Sequence, residues 1–330
     1  LTKNYSADAQ NFPFCTIEPN VIVNVNDERL EKIRQAVKEK IVPATCEFID
    51  IAIVKASAGE LGNKFLANIR EADAILQVVR VFENNDIIHV HGKVDPKSDI
   101  EVINSELILA DLETVNKRIT SDARKARADK DVAFAVEVYK KVEAGLLAGH
   151  LVSDLELKEE ELLAIRDLHL LTNKEFVYAC NVSEDMMSET EENLKKILLE
   201  NKKNKVVPIC AKLEADMIDM DSEERKEFLE EMLITTGLDN LIKASYDALL
   251  QYYFTAGEKE VRAWTIHKDT APKAAVIHTD FEKFIKADVV NWVDIVEFGG
   301  WAKAREAGKV SLEKEYIVQD GDVMLFKFNN

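Results

Sequence analysis

The sequence predicts an α/β fold: a parallel sheet interrupted by an antiparallel helical coiled-coil arm and followed by a small C-terminal α+β module. Three observations carry this. Short continuous apolar runs recur at 73–81, 176–180 and 206–210, as in strands covered on both faces. Between the first and second of these runs, apolar residues repeat at the spacing of a helical seam. In the last seventy or so residues, apolar alternation and turn signals replace that pattern.

Residues 40–54 read as one strand around Glu47-Phe48-Ile49-Asp50-Ile51-Ala52, and 73–81 as another. A helix around Asn63–Arg70 separates them, giving a strand–helix–strand unit, the building block of a parallel sheet. Ile108, Leu112, Val115 and Ile119 are spaced 4, 3, 4, and Ala135, Tyr139, Val142 and Leu146 repeat that spacing. A mean period of 3.5 makes a coiled-coil seam, and two such runs about a polar turn make a helical hairpin. The turn region, Lys117 to Lys130, holds six basic residues and two acidic ones. It is either a solvated tip or a contact for RNA phosphates, through Arg124, Lys125 and Arg127. Further on, Val261–Ile266 reads as a strand and Thr279-Asp280-Phe281-Glu282 as a capping box. Tyr316–Phe328 reads as strand, turn and strand about Asp320-Gly321.

A chain of 330 residues with 47% hydrophobic and 32% charged side chains has material for two or three domains. No run approaches the ~18 apolar residues of a membrane-spanning helix, so no membrane association is expected. A net charge of −18 excludes a protein that coats nucleic acid with its whole surface. Cys15, Cys46, Cys180 and Cys210 are scattered, without a C-x-x-C pair. That argues against structural disulfides or a zinc site and fits a reducing, cytoplasmic compartment.

Several stretches together resemble the Obg-like ATPases of the YchF family. They are Asn11–Asn20, Asp50-Ile51-Ala52, Gly59–Arg70, Asp95-Pro96, Glu106–Glu113, Tyr253–Gly257, Val261–Thr265, Ile277–Lys283 and Val318–Val323. Their order and number span nearly the whole chain. The resemblance implies a Ras-like P-loop NTPase sheet, an inserted coiled-coil arm and a C-terminal β-grasp (TGS) domain. The nucleotide-binding domain would occupy 1–108 and 169–255, the arm 109–168 and the TGS domain 256–330. A slow Mg²⁺-dependent ATPase that contacts the ribosome or structured RNA is the function this implies.

Site residues follow from the resemblance. Thr16 matches the switch threonine whose hydroxyl ligates Mg²⁺, and Asp50 the carboxylate that holds the ion through its water shell. On its own, Asp50 reads rather as a residue capping a loop; the resemblance reverses that. Asn181-Val182-Ser183-Glu184 stands where GTPases carry N-K-x-D. Glu184 is one methylene longer than the aspartate that clasps guanine's two donors, and Val182 replaces the lysine, which implies ATP over GTP. Alone, the pattern also fits an acid in the first turn of a helix. Cys210-Ala211-Lys212 resembles the family's further base-side loop, with Cys210 and Ala211 beside the base. No glutamine follows Asp50 to orient a water; Ala52-Ile53-Val54-Lys55 stands there, and no catalytic residue is evident.

The chain departs from the family in its glycines. No G-x-x-x-x-G-K-[ST] run occurs, and Leu1-Thr2-Lys3 resembles the end of the helix that follows such a loop. Glycines expected after Asp50-Ile51-Ala52, within 53–61 and before Phe284 are missing. With 11 glycines in 330 residues against a usual share of roughly 7%, this predicts an intact mass above 37.3 kDa. The alternative function is a non-hydrolysing ribosome- or RNA-binding module acting through the basic arm and the TGS domain.

Overall fold

The computed structural model describes residues 20–51, 66, 69–84, 86, 87, 89, 92–189, 191–198, 204–232, 237–256, 260–267, 284–311 and 317–328. Thr16, most of the helix expected over 63–70 and the capping box at 279–282 lie outside the described residues.

In chain order the elements are β1 (Asn20–Val25), α1 (Glu28–Val37), β2 (Lys40–Val42), β3 (Ala44–Ile49), β4 (Ala74–Arg80), α2 (Pro96–Asp122), α3 (Lys130–Leu147), α4 (Glu159–Ile165), β5 (Glu175–Asn181), α5 (Glu191–Leu198), β6 (Lys205–Ile209), α6 (Ala211–Asp216), α7 (Ser222–Met232), α8 (Gly237–Leu249), β7 (Leu250–Ala256), β8 (Glu260–His267), β9 (Phe284–Asn291), α9 (Trp292–Phe298), α10 (Trp301–Glu306) and β10 (Asp322–Phe328). They fall into two compact units, one from 21–48 and 242–330, the other from 49–241.

The 49–241 unit holds an all-parallel sheet in the order β4-β5-β6. Phe176 to Cys180 of β5 are all buried, as the continuous apolar run requires of a central strand covered on both faces. Within this unit the arm is inserted between β4 and β5. Asp95 caps α2, its side chain accepting from the Ser98 N–H at 3.2 Å, and Pro96 occupies the first turn, where a missing N–H costs nothing. Its 27 residues reach about 40 Å at 1.5 Å per residue. Asp129 caps α3 through the N–H groups of Asp131 and Val132. Ile108, Val115, Tyr139, Val142 and Leu146 are buried in one core, with Leu112, Ile119 and Ala135 packed half-buried against it. All eight seam residues read from the spacing therefore meet where the period places them.

The other unit holds a five-stranded sheet in the order β2-β8-β7-β10-β9. Tyr253, Ile266, Ala287, Val289, Val318 and Met324 form a core, joined by half-buried Trp264 and Phe326. Leu30 and Ile33 are the buried positions of α1.

Two local expectations are corrected. Residues 40–54 are not one strand. Pro43 has no N–H to give to a ladder, and the chain changes partner there. β2 runs parallel to β8, while β3 pairs with β1. Ile317-Val318-Gln319 is not a strand either, because the groups it would offer to a hairpin are used locally. Gln319 N–H donates to Asp322 Oδ2 at 2.8 Å and Gln319 C=O accepts from Asp322 N–H at 3.1 Å. The antiparallel partner of β10 is β9. Gly321 turns the chain into β10 at φ +88°. Its N–H donates to the Tyr252 carbonyl, and its own carbonyl accepts from the Trp292 N–H.

Candidate nucleotide site and arm

The C-terminal ends of β5 and β6 bring two loops together. Asn181 stands in register with Arg80 of β4 and Ile209 of β6. Its carbonyl accepts from Val81 N–H, and the next residue, Val182, donates its N–H to Ile209 C=O, each at 2.9 Å. The backbone at Asn181-Val182 is thus tied on both sides, at the strand edge where open parallel sheets place ligands. The Asn181 side chain crosses to the second loop, where Oδ1 accepts from Ala211 N–H at 3.1 Å. That bond assigns the amide's orientation, because only the oxygen can accept. Nδ2 then faces away as a donor with no acceptor among the described residues.

Around it, Val182, Cys210 and Leu213 are buried and apolar. Beneath them burial pushes the Cys180 thiol up to about 12, so it serves as wall and not as a nucleophile. Glu184 opens a short 3-10 turn, Glu184–Met186, and its Oε1 accepts from Lys212 Nζ at 2.9 Å. Glu184 raises the Lys212 pKa through that bond. Asn181, Val182, Glu184, Cys210 and Ala211 therefore lie on two adjacent loops, joined by the Asn181–Ala211 and Glu184–Lys212 bonds. Lys212, which the sequence places in the Cys210-Ala211-Lys212 loop without a role, is the residue whose part only the structure supplies. The signal was a cation three positions after the end of β6, legible only once its acid partner is known.

Asp50 directly follows β3 and is exposed. Thr16 lies outside the described residues. Among the described residues no three His, Cys, Asp or Glu side chains converge as a metal cluster. Mg²⁺ commonly takes one or two carboxylates together with phosphate oxygens and waters, and an exposed carboxylate at a strand end suits that hard-oxygen chemistry.

At the tip of the arm, Lys125–Arg127 forms a 3-10 turn, and Arg124, Lys125 and Arg127 are all exposed. Asp122 takes up Arg118 at 3.0 Å and lies 4.0 Å from Lys125. Arg124 and Arg127 have no ion partner among the described residues.

At the foot of the arm, Asp111 is buried and accepts three hydrogen bonds, from Leu171 N–H, Thr172 N–H and Thr172 Oγ1. Burial raises its carboxyl above the ordinary value, and the three hydrogen bonds oppose that shift. Two residues on, Lys174 Nζ donates to the carbonyls of Arg70 and Ala72, the first at 3.1 Å. The entry to β5 is thereby tied both to α2 and to the segment entering β4.

This geometry has close relatives. Over 98% of the chain and 93% of its relative, the sequence is 51% identical to the ribosome-binding ATPase YchF of Bacillus subtilis. The Haemophilus influenzae protein of the same description is 49% identical over 98% of this chain and 92% of its own. The chain belongs to the YchF family. The fold agrees: the Schizosaccharomyces pombe YchF GTPase superposes with a TM-score of 0.83 at 32% identity, covering 99% of this chain and 92% of that one. Residues 250–329 match the YchF-GTPase_C family model, described as a protein of unknown function (DUF933). In this YchF chain that segment holds β7 to β10, while β2 and α1, from 21–48, complete the same compact unit. Among the described residues no helix is long and apolar enough to cross a membrane.

Proposed function

We propose that the chain is a cytoplasmic ribosome-binding ATPase, like its bacterial relatives, with the base of ATP seated between the β5 and β6 loops. The Asn181–Ala211 bond carries this reading. With Oδ1 committed to the Ala211 N–H, the Asn181 Nδ2 is left to donate to an acceptor on the purine ring. Val182 and Cys210 give the ring an apolar wall. Glu184 bears on the choice of base. Guanine presents two adjacent donors to a carboxylate that can clasp both, and here one carboxylate oxygen is held by Lys212. Adenine lacks that donor pair, so ATP is favoured and GTP is the weaker ligand.

Asp50 and Thr16 are the oxygen donors proposed for Mg²⁺, which when bound neutralises charge on the phosphates. Exposed Arg124, Lys125 and Arg127 are the proposed contact to ribosomal RNA, through phosphates. That Arg124 and Arg127 have no ion partner among the described residues supports this over a merely solvated tip, since cations already satisfied by acids would have little to offer a polyanion. Phosphate release from ATP and from GTP, with and without added ribosomes, tests the proposal. Faster release from ATP, altered by ribosomes, is expected; equal indifference to base and to ribosomes would refute it.

A further inference from the structure

Residues 21–48 belong to the compact unit that carries the C-terminal sheet, and the chain passes out of that unit after Phe48. Asp50 follows at once, and Thr16 precedes Val21 in sequence. The two proposed Mg²⁺ donors thus flank a stretch of chain that is built into the C-terminal sheet. Resting on that reading of Asp50, we propose that residues 27–50 form a relay. Binding of Mg²⁺ and ATP at Asp50 pulls on β3 and releases β2 from its partner β8, while α1 stays fixed.

Arg29 makes α1 the fixed point. Asp27 caps the helix, Oδ1 accepting from the Arg29 N–H at 2.9 Å. The same carboxylate accepts from Arg29 Nε at 3.0 Å and from Nη2 at 2.7 Å. Nη1 donates to Asp320 Oδ2 at 2.6 Å, and Asp320 Oδ1 accepts from the Tyr252 N–H at 2.9 Å. The guanidinium also lies 5.3 and 5.4 Å from the ring centres of Tyr252 and Phe254. One half-buried arginine therefore joins the start of α1 to β7 and to the turn before β10, by bidentate and cation–π contacts. Leu30 and Ile33, both buried, form the apolar side of the same attachment.

The moving part is β2. It has three residues, stands at the edge of the sheet and pairs with β8, Lys40 opposite Glu260, Ile41 opposite Val261 and Val42 opposite Arg262. None of the three is buried. A parallel pair this short has few bonds to lose, and such elements open before the core does. Before β2, Lys38 joins it to α1 in the left-handed region, at φ +61°, which a side chain disfavours. Such a residue is a natural hinge, because its strain is released when the segment beyond it moves. After β2, Pro43 ends the ladder and β3 runs from Ala44 to Ile49, the residue before Asp50. Six extended residues span about 20 Å and do not stretch, so a shift at Asp50 reaches β2 directly. Release of β2 changes the edge that the C-terminal sheet presents.

The test is hydrogen–deuterium exchange of the full chain, free and with saturating ATP and Mg²⁺, with heat of binding measured on the same samples. Exchange over 40–42 and 260–262 should speed up about tenfold on binding, while 28–37 does not change. ATP with EDTA should leave 40–42 as in the free protein. Arg29→Met removes the fixed point, so the ATP-dependent change should spread into 28–37 with ATP affinity unaltered. Four results overturn the relay: binding heat without faster exchange over 40–42, slower exchange there, a response that survives EDTA, or the wild-type pattern in Arg29→Met. Absence of binding heat overturns the nucleotide reading itself, and the relay falls with it.

Discussion

The carboxylate of Asp111 accepts from both the backbone N–H and the hydroxyl of Thr172, at 2.8 and 2.7 Å, joining residues 61 positions apart in sequence. Its other oxygen takes the Leu171 N–H at 2.9 Å. One buried acid of α2 thus fixes the turn that feeds β5, and β5 ends at Asn181. Replacing Asp111 with Ala would leave two backbone donors buried without an acceptor. A loss of about 3–5 kcal/mol is expected in denaturant unfolding of the full chain; a loss below about 1 kcal/mol would contradict the role given to this acid.

The same acid should leave a signature in pH. Its folded carboxyl binds a proton more readily than the unfolded one, since burial raises its pKa. The stability it contributes is therefore fully present below the ordinary carboxylate value and falls as pH rises through the raised one. The thermal midpoint of wild type minus that of Asp111→Asn should shrink as pH rises from about 4. A difference that grows over that interval would mean the hydrogen bonds outweigh burial.

Asn181→Ala removes the proposed donor to the base and the acceptor for Ala211 N–H together. ATP affinity should fall about tenfold, equivalent to about 1.4 kcal/mol. Unchanged affinity in a titration would place the base elsewhere.

Lys212→Met frees the Glu184 carboxylate. The pair is exposed, so the effect is modest: GTP affinity should rise about threefold to fivefold relative to ATP. Lys212→Met combined with Glu184→Gln should return the ratio to that of wild type. A ratio that does not move in the single variant would remove Lys212 from base selection.

Gly321 stands at φ +88°, and a β-carbon there would lie 2.6 Å from Trp292 Cδ1 and 3.2 Å from an Arg29 nitrogen. Gly321→Ala should cost about 2 kcal/mol, from backbone strain and displacement of the Trp292 ring. An unaltered melt would show that the ring has room to move.

The arm was legible because a 3.5-residue period is written directly into Ile108, Leu112, Val115 and Ile119, and the contacts it predicts are local to a hairpin. The strand 175–181 was legible because a central parallel strand must be apolar throughout; 74–80 and 205–209 carry similar apolar runs but flank it in the sheet, and Val78 of β4 is exposed. Asp111 was not, since an acid inside an apolar helix stretch looks exposed until its three donors, about sixty residues away, are known. Nor was the split at Pro43, where the proline signals a break but not that the two halves pair with different strands. At the candidate site, Asn181 and Ala211 could be placed on loops from the family resemblance, but the bond between them depends on β5 and β6 lying side by side. The Glu184–Lys212 pair depends on it too.

Titration calorimetry of the full chain with Mg²⁺ and either ATP or GTP tests the central claim most directly. The geometry around Asn181, Glu184 and Lys212 predicts saturable binding of both, with ATP the tighter. GTP binding equal to or tighter than ATP would contradict the assignment of the base site.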